Sequence, residues 1–298
     1  LRVRYKNVGV EYDRSKGEWF DALGFVYEDV SFEIEDPGQW EINGPLGELL
    51  RVTGTRAGSG STWFEVDLAF ALDLGVVTIT GATVRLTFND GDVAIELRGL
   101  AAAVEIPNTL RGAGRLALGD GGAIRAGLDV EVIPANVAAR GALALQADVG
   151  FVAIEVGVIF AVGIPLAQSG LGIYGFVGRF VSNGARDLTS TTLDDPVQRE
   201  IDWYRKPPEQ KYSPRSGQWA LGLGAVVGTM PDTAFTFNAL GMLTVAFPDP
   251  SVIFGIDAKF VSQPGLPSEE GSSPPPGTLL LLGIIAIDPT SVRLGVRG

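Results

Sequence analysis

Apolar and polar residues alternate along most of this chain with a period of two. Phe64, Val66, Leu68, Phe70, Leu72 and Leu74 occupy every second position, with Glu65, Asp67, Ala69, Ala71 and Asp73 between them. Side chains of a strand point alternately to its two faces, so this is a strand with one apolar face and one acidic or small one. At about 3.3 Å per residue the run reaches roughly 36 Å, about twice the common strand length. Val84 to Leu97 reads as a hairpin around Asp90-Gly91, a pair suited to a two-residue turn with positive φ. That turn sets Phe88 against Val93, Leu86 against Ile95 and Val84 against Leu97 on one face, with Arg85 opposite Glu96 on the other.

The same rhythm predicts strands at 3–12, 27–35, 100–106, 110–118, 123–133 and 137–147, with shorter pieces over 40–52 and a turn at 57–61. In 123–133, Ile124, Leu128, Val130 and Val132 share a face against Arg125, Asp129 and Glu131. From about residue 149 the strands are apolar on both faces: 149–166, 171–181, 219–227, 235–247, 252–261 and 279–287, and 291–298 reads as a strand still running. Such strands are covered on both sides or face an apolar phase on one of them. Two polar insertions interrupt them. Within 182–218, Asp195-Pro196-Val197-Gln198 predicts a helix start with Asp195 as N-cap and Gln198 closing a capping box; Val197, Ile201 and Tyr204 form its apolar stripe. The second, 263–277, is rich in Pro, Ser and Gly and reads as a mobile loop.

The expected fold class is therefore all-β. Long, mostly antiparallel amphipathic strands form an extended curved sheet, sandwich or groove, with one short helix near 196–206. The expected organisation is an amphipathic sheet region over 1–148 and a more apolar one over 149–298. Leu1 at the start and a strand still running at the end suggest a segment of a longer chain.

Composition narrows the chemistry. The 298 residues include no Cys and no His, which removes disulfides, thiolate and imidazole metal sites, and Ser-His-Asp triads. A net charge of −12 argues against nucleic acid, whose phosphates need a basic surface. Gly170-Leu171-Gly172-Ile173-Tyr174-Gly175 spells the dinucleotide fingerprint, but 176–180 continues a strand pattern where that motif needs a helix. Asn89-Asp90-Gly91-Asp92 lacks the spacing of a calcium loop. Carboxylate pairs such as Glu33 with Glu35, or Asp194 with Asp195, are expected by chance among 35 acidic residues. No catalytic, cofactor-binding or metal-binding residue is assigned. Arg179, alone in an apolar strand, is expected to pair with an acid of the insertion. Trp203, Tyr204, Arg205 and Lys206 form the one aromatic-basic cluster, a candidate docking surface that would otherwise pack the insertion onto the sheet.

The second half carries a further pattern: Pro214, Gly217, Trp219, Gly222 and Gly224, then Gly228, Thr229 and Asp232, then Pro248 and Pro250. Over residues 169–288 it resembles a family of very large, functionally uncharacterised bacterial β-rich proteins. The resemblance implies an internal segment of a large bacterial protein and transfers no catalytic residue.

The functional expectation is a non-enzymatic structural module whose hidden apolar face is made by Phe64, Val66, Leu68, Phe70, Leu72, Val84, Leu86, Phe88, Val93, Ile95 and Leu97. The acidic faces of 64–74 and 123–133 would face water. Its partners would be the rest of a longer chain, other protein subunits, or lipid, and no cofactor is implied. The alternatives are a membrane-spanning β-barrel, a carboxylate-based polysaccharide enzyme, and a component or cargo of a bacterial secretion machine. An enzyme needs convergent charged groups in a pocket, and a barrel needs a polar lumen that strands apolar on both faces do not supply. Phe70→Glu is expected to destabilise the chain strongly by burying an unpaired charge; a change within about 0.5 kcal/mol in urea unfolding would show that this face is open to solvent.

Overall fold

The computed structural model describes residues 2–6, 9–12, 23–26, 29–33, 50–57, 63–89, 92–188, 195–264 and 279–297, with backbone alone for 2–33. The N-terminal strands are β1 (Arg2–Lys6), β2 (Gly9–Tyr12), β3 (Leu23–Val26) and β4 (Asp29–Glu33); β1 pairs with β4 and β2 with β3, both antiparallel. Then come β5 (Arg51–Ala57), β6 (Trp63–Asp73), β7 (Val77–Asn89), β8 (Asp92–Ile106), β9 (Leu110–Leu118), β10 (Ala123–Val132), β11 (Val137–Gln146), β12 (Phe151–Pro165) and β13 (Leu171–Arg186). Helix α1 (Pro196–Arg205) precedes β14 (Tyr212–Thr229), β15 (Phe237–Phe247), β16 (Ser251–Phe260), β17 (Leu279–Asp288) and β18 (Ser291–Arg297). Strands β5 to β18 form one antiparallel sheet of fourteen strands in strict chain order. The order ends at β5 and β18, so the sheet is open and not a closed barrel. Among the described residues no helix is long and apolar enough to cross a membrane.

Two compact units divide the chain, 1–102 and 103–298. In the first, Phe64 and Val66 lie opposite Leu86 and Val84 and are buried with Val52; Leu68, Leu86 and Phe88 pack against them, and the rings of Phe64 and Phe88 stack at 5.8 Å. The acidic face of β6 departs from expectation. Glu65 sits directly between Arg56 and Arg85 in the register, pairs with them at 3.2 and 2.8 Å, and is mostly buried. Arg85, placed by sequence against Glu96, lies over the Trp63 ring and pairs with Glu65 at 2.8 Å. The turn at Asp90-Gly91 lies outside the described residues.

In the second unit, the predicted helix forms where its signals place it. The Asp195 carboxylate accepts the Val197 N–H at 2.8 Å, and Pro196 needs no partner at the first position. The Gln198 amide donates forward to Asp202 at 2.7 Å. The segment between β13 and β14 folds back over the sheet. Ile201 and Val197 press on Gly295 of β18, and Tyr204 lies on Gly255 of β16. Trp203 is 1% exposed and donates to the Lys211 carbonyl at 2.7 Å; Glu209 reaches Arg115 of β9. The insertion thus crosses one face of the sheet, here called the inner face. The main core lies beneath it, with Phe151, Tyr174, Val177, Val181, Val226, Met242 and Ile253 among its members.

The glycine at 255 is what permits this approach. A Cβ there would stand 2.1 Å from the Tyr204 ring. Gly255→Leu is expected to lift the insertion and cost about 1–3 kcal/mol in urea unfolding, the usual price of overpacking.

Candidate functional site

Antiparallel pairing in register keeps opposed residues on one face of a sheet. The ten strands β9 to β18 apply that rule, with register shifts in β12 between Ile159 and Ile164 and in β13 near Ile173 and Ser182. One row runs Ile154, Phe180, Leu221, Val245, Val252, Ile287, Val292 across seven strands. The next runs Val156, Gly178, Leu223, Leu243, Phe254, Ile285, Leu294. Both continue onto the other side of β12, through Leu143, Ala126 and Leu116, and through Gly141, Leu128 and Gly114. At one end a further row holds Ser182, Trp219 and Phe247, the two rings stacked at 4.5 Å. At the paired positions of the ten strands this outer face carries no charged side chain, and its polar residues there are Ser182, Ser213 and Thr229.

The face is open. Leu223 is 70% exposed, Val162 78% and Leu221 50%, with Phe176, Phe180 and Leu243 also above 40%. Ten strands at about 4.8 Å spacing and four or five rows give an apolar surface on the order of 1,000 Å². The largest such patch on a monomer is usually about 300–600 Å².

At the paired positions, all the charge of these strands lies on the inner face. Arg111 pairs with Glu131 at 2.6 Å and Arg140 with Asp129, each across a register position. The acidic side of 123–133 keeps partial access to water, with the Asp129 and Glu131 side chains 47% and 34% exposed beside their arginines. Glu155 and Arg179 are also directly opposed, on β12 and β13, and both are buried; Nε of Arg179 donates to Glu155 at 2.7 Å. Arg179 also reaches the Tyr212 and Thr244 hydroxyls. Its acid therefore comes from the neighbouring strand and not from the insertion. Burial works to raise the Glu155 carboxyl, but Arg179, with Lys211 and Arg140, overcomes it and holds the group below its ordinary range. A second cluster joins Arg186 to Glu200 at 2.5 Å and to Asp288 at 3.3 Å, with Arg293 bridging the same two acids.

Lys211 is buried at the centre of the inner face, donating to the Tyr204 carbonyl. Burial, reinforced by Arg179, lowers its ammonium to about 7 against the pull of Glu155, Asp257 and Glu209.

The residues singled out from sequence fall into distinct places. Phe64 and Val66 are buried, and Leu68, Phe70, Val84, Leu86 and Phe88 half-buried. Leu72, Ile95 and Leu97 are exposed at 49%, 70% and 52%, which corrects their assignment to a hidden face; the Val93 side chain lies outside the described residues. Trp203 and Tyr204 are consumed inside the chain by the insertion's packing, so a docking surface built on them with Arg205 and Lys206 is not available. Gly170 to Gly175 opens strand β13 and no helix follows, so the pyrophosphate-binding geometry is absent there. The Asn89 to Asp92 side chains, Glu33 with Glu35, Asp194 and the 265–278 loop lie outside what is described. Among the described residues no group of three or more acidic side chains is placed to hold a metal ion. A groove of about 630 Å³ over the inner face is lined by Glu105, Arg111, Asp129, Glu131 and Arg140, of which Asp129 and Glu131 are tied to arginines.

The open face of β9 to β18 was missed as a site. The alternation that builds it was legible, but which side stays uncovered depends on where 187–211 folds back. No family model, curated protein or solved structure matches the chain.

Lysine in an unfolded chain keeps its proton to about pH 10.4, so between about pH 7 and that value the unfolded state binds more protons than the folded one. Stability is therefore expected to rise with pH between about 7 and 10, and Lys211→Met to flatten that rise. Urea unfolding at a series of pH values measures both; equal slopes for the two chains would contradict the placement of Lys211.

Proposed function

We propose that this protein is a non-enzymatic β module whose outer face, on β9 to β18, holds the acyl chains of lipid. The observation that carries the reading is the absence of charge from the paired positions of that face over ten consecutive strands, while every charged residue at a paired position lies on the other side. A ligand there finds apolar contact and almost no hydrogen-bonding group. Protein–protein interfaces make about one hydrogen bond per 100–200 Å², and this surface offers side chains for almost none. Hydrocarbon needs none. The net charge of −12 disfavours adsorption to an anionic membrane surface and favours capture of neutral or individual lipid molecules.

A second reading has its own support. A chain-order antiparallel sheet with apolar side chains on one face and charged ones on the other is the pattern of membrane-spanning strands, which this open sheet would match only as part of a barrel closed by further chain. The inner insertion also accounts for the strands that are apolar on both sides, which had counted against that reading.

Purification without detergent, followed by solvent extraction and mass spectrometry, tests both. Co-purifying lipid is expected, and Leu223→Asp with Phe254→Asp, both at exposed positions, should reduce it at least tenfold without unfolding the chain. Detergent-free protein that carries no lipid and takes up none from vesicles would overturn the lipid-holding reading. Recovery only from the membrane fraction would favour the second.

A further inference from the structure

A hollow of about 280 Å³ lies on the inner face beside the cluster of Arg186, Glu200, Asp288 and Arg293. Its lining includes Tyr212 of β14, Thr244 of β15 and Ser251 of β16, which are 3%, 3% and 7% exposed. A guanidinium only donates. Nη1 of Arg179 donates to the Tyr212 hydroxyl at 3.4 Å and to the Thr244 hydroxyl at 3.3 Å. Each hydroxyl therefore accepts on that side and must turn its own hydrogen away from Arg179. Among the described residues neither hydrogen finds an acceptor, and Ser251 makes no side-chain hydrogen bond. Buried polar groups are ordinarily satisfied, so the hollow holds donors in search of an acceptor. Burial raises the Tyr212 phenol against the pull of Arg179, so its proton stays on at neutral pH.

A charge joins these donors. Between Pro214 and Trp219, strand β14 leaves its ladder with β13 at the register shift that spans Ser182 and Gly184. Arg215 lies in that stretch, is exposed and lines the hollow. Among the described residues it makes no ion pair or side-chain hydrogen bond. The other charged groups of the lining are engaged, Arg186 with Asp288 at 3.3 Å and Asp249 with the Gln218 amide at 3.5 Å. Leu188, Ala246, Phe247 and Ile253 supply apolar surface.

We propose that this hollow binds a small organic acid, its carboxylate held by Arg215 and the Tyr212 and Thr244 hydroxyls and its apolar body lying against Ala246 and Ile253. An ionised carboxylate only accepts, and its two oxygens offer about four positions for donors of this kind. A dianion such as phosphate is disfavoured, because Asp249 and Asp288 share the same lining. At about 30 Å³ for each water-sized group, the volume takes about nine non-hydrogen atoms. The site is on the opposite side of the sheet from the open apolar rows and does not depend on what they hold.

Benzoate and hexanoate are acids of this size, and benzamide and hexanamide are their uncharged counterparts of nearly the same shape. Titration of each into the whole chain near neutral pH, followed by ligand-observed NMR, reads the dissociation constants. At least one acid is expected to bind saturably, with a constant on the order of a millimolar, and its amide about tenfold more weakly or less. Arg215→Gln, at an exposed position, and Thr244→Val should each weaken the acid by about tenfold. Leu223→Asp, on the outer face, should leave its affinity unchanged. Thr244→Val also removes a partner of Arg179, so its urea unfolding is measured alongside, and Arg215→Gln decides the matter if that chain does not fold. Failure of both acids to saturate below about 10 mM would overturn the proposal. So would equal affinity for acid and amide, an affinity unchanged by Arg215→Gln, or loss of binding in Leu223→Asp.

Discussion

Register is the constraint on which the rest of this molecule depends. A strand side chain belongs to one of two faces, and a slip of one residue exchanges them all. Across ten consecutive strands of the second unit the register gathers the charged residues of paired positions on the inner face with the apolar core, and leaves the outer face almost wholly apolar. Breaks occur in β12 between Ile159 and Ile164 and in β13 near Ile173 and Ser182, and the paired charged residues on either side of them stay on the inner face.

Sorting charge to one side creates a second requirement. Arg179 and Glu155 are buried beneath the insertion, and isolated buried charges are strongly unfavourable. Their placement at directly opposed positions satisfies them across the sheet, and the Tyr212 and Thr244 hydroxyls occupy further guanidinium donors. The insertion can therefore lie over a polar patch with its own Trp203 and Tyr204 turned inward. The two faces end with different fates: the one with the charge is covered, and the one without it is open.

Much of this was legible in the sequence. The strand at 110–118 and the helix signal at Asp195-Pro196 fall where the pattern puts them. Strand β14 begins seven residues before Trp219, across Ser213-Pro214-Arg215-Ser216-Gly217, because a loop-like composition there is carried on a strand with Gly217 at φ 77°. The pairing of Glu65, Asp129 and Glu131 was illegible for another reason. Alternation assigns a residue to a face but does not name its neighbour, and an acidic stripe beside arginine-bearing strands reads as solvated until the register is known. Arg179 shows the same limit, since its partner is 24 positions earlier in the chain. The candidate site depended on the one element that periodicity does not place, the return path of 187–211.

The chain-order connectivity of the sheet has a consequence for how such a molecule can change. Each strand bonds only to the strands before and after it in sequence. Removing or duplicating one hairpin would leave every other pairing intact and would alter the width of the apolar surface by a fixed step of about 10 Å. Length along the sheet is thus a quantity that simple duplication can tune, independently of the height set by the strands themselves.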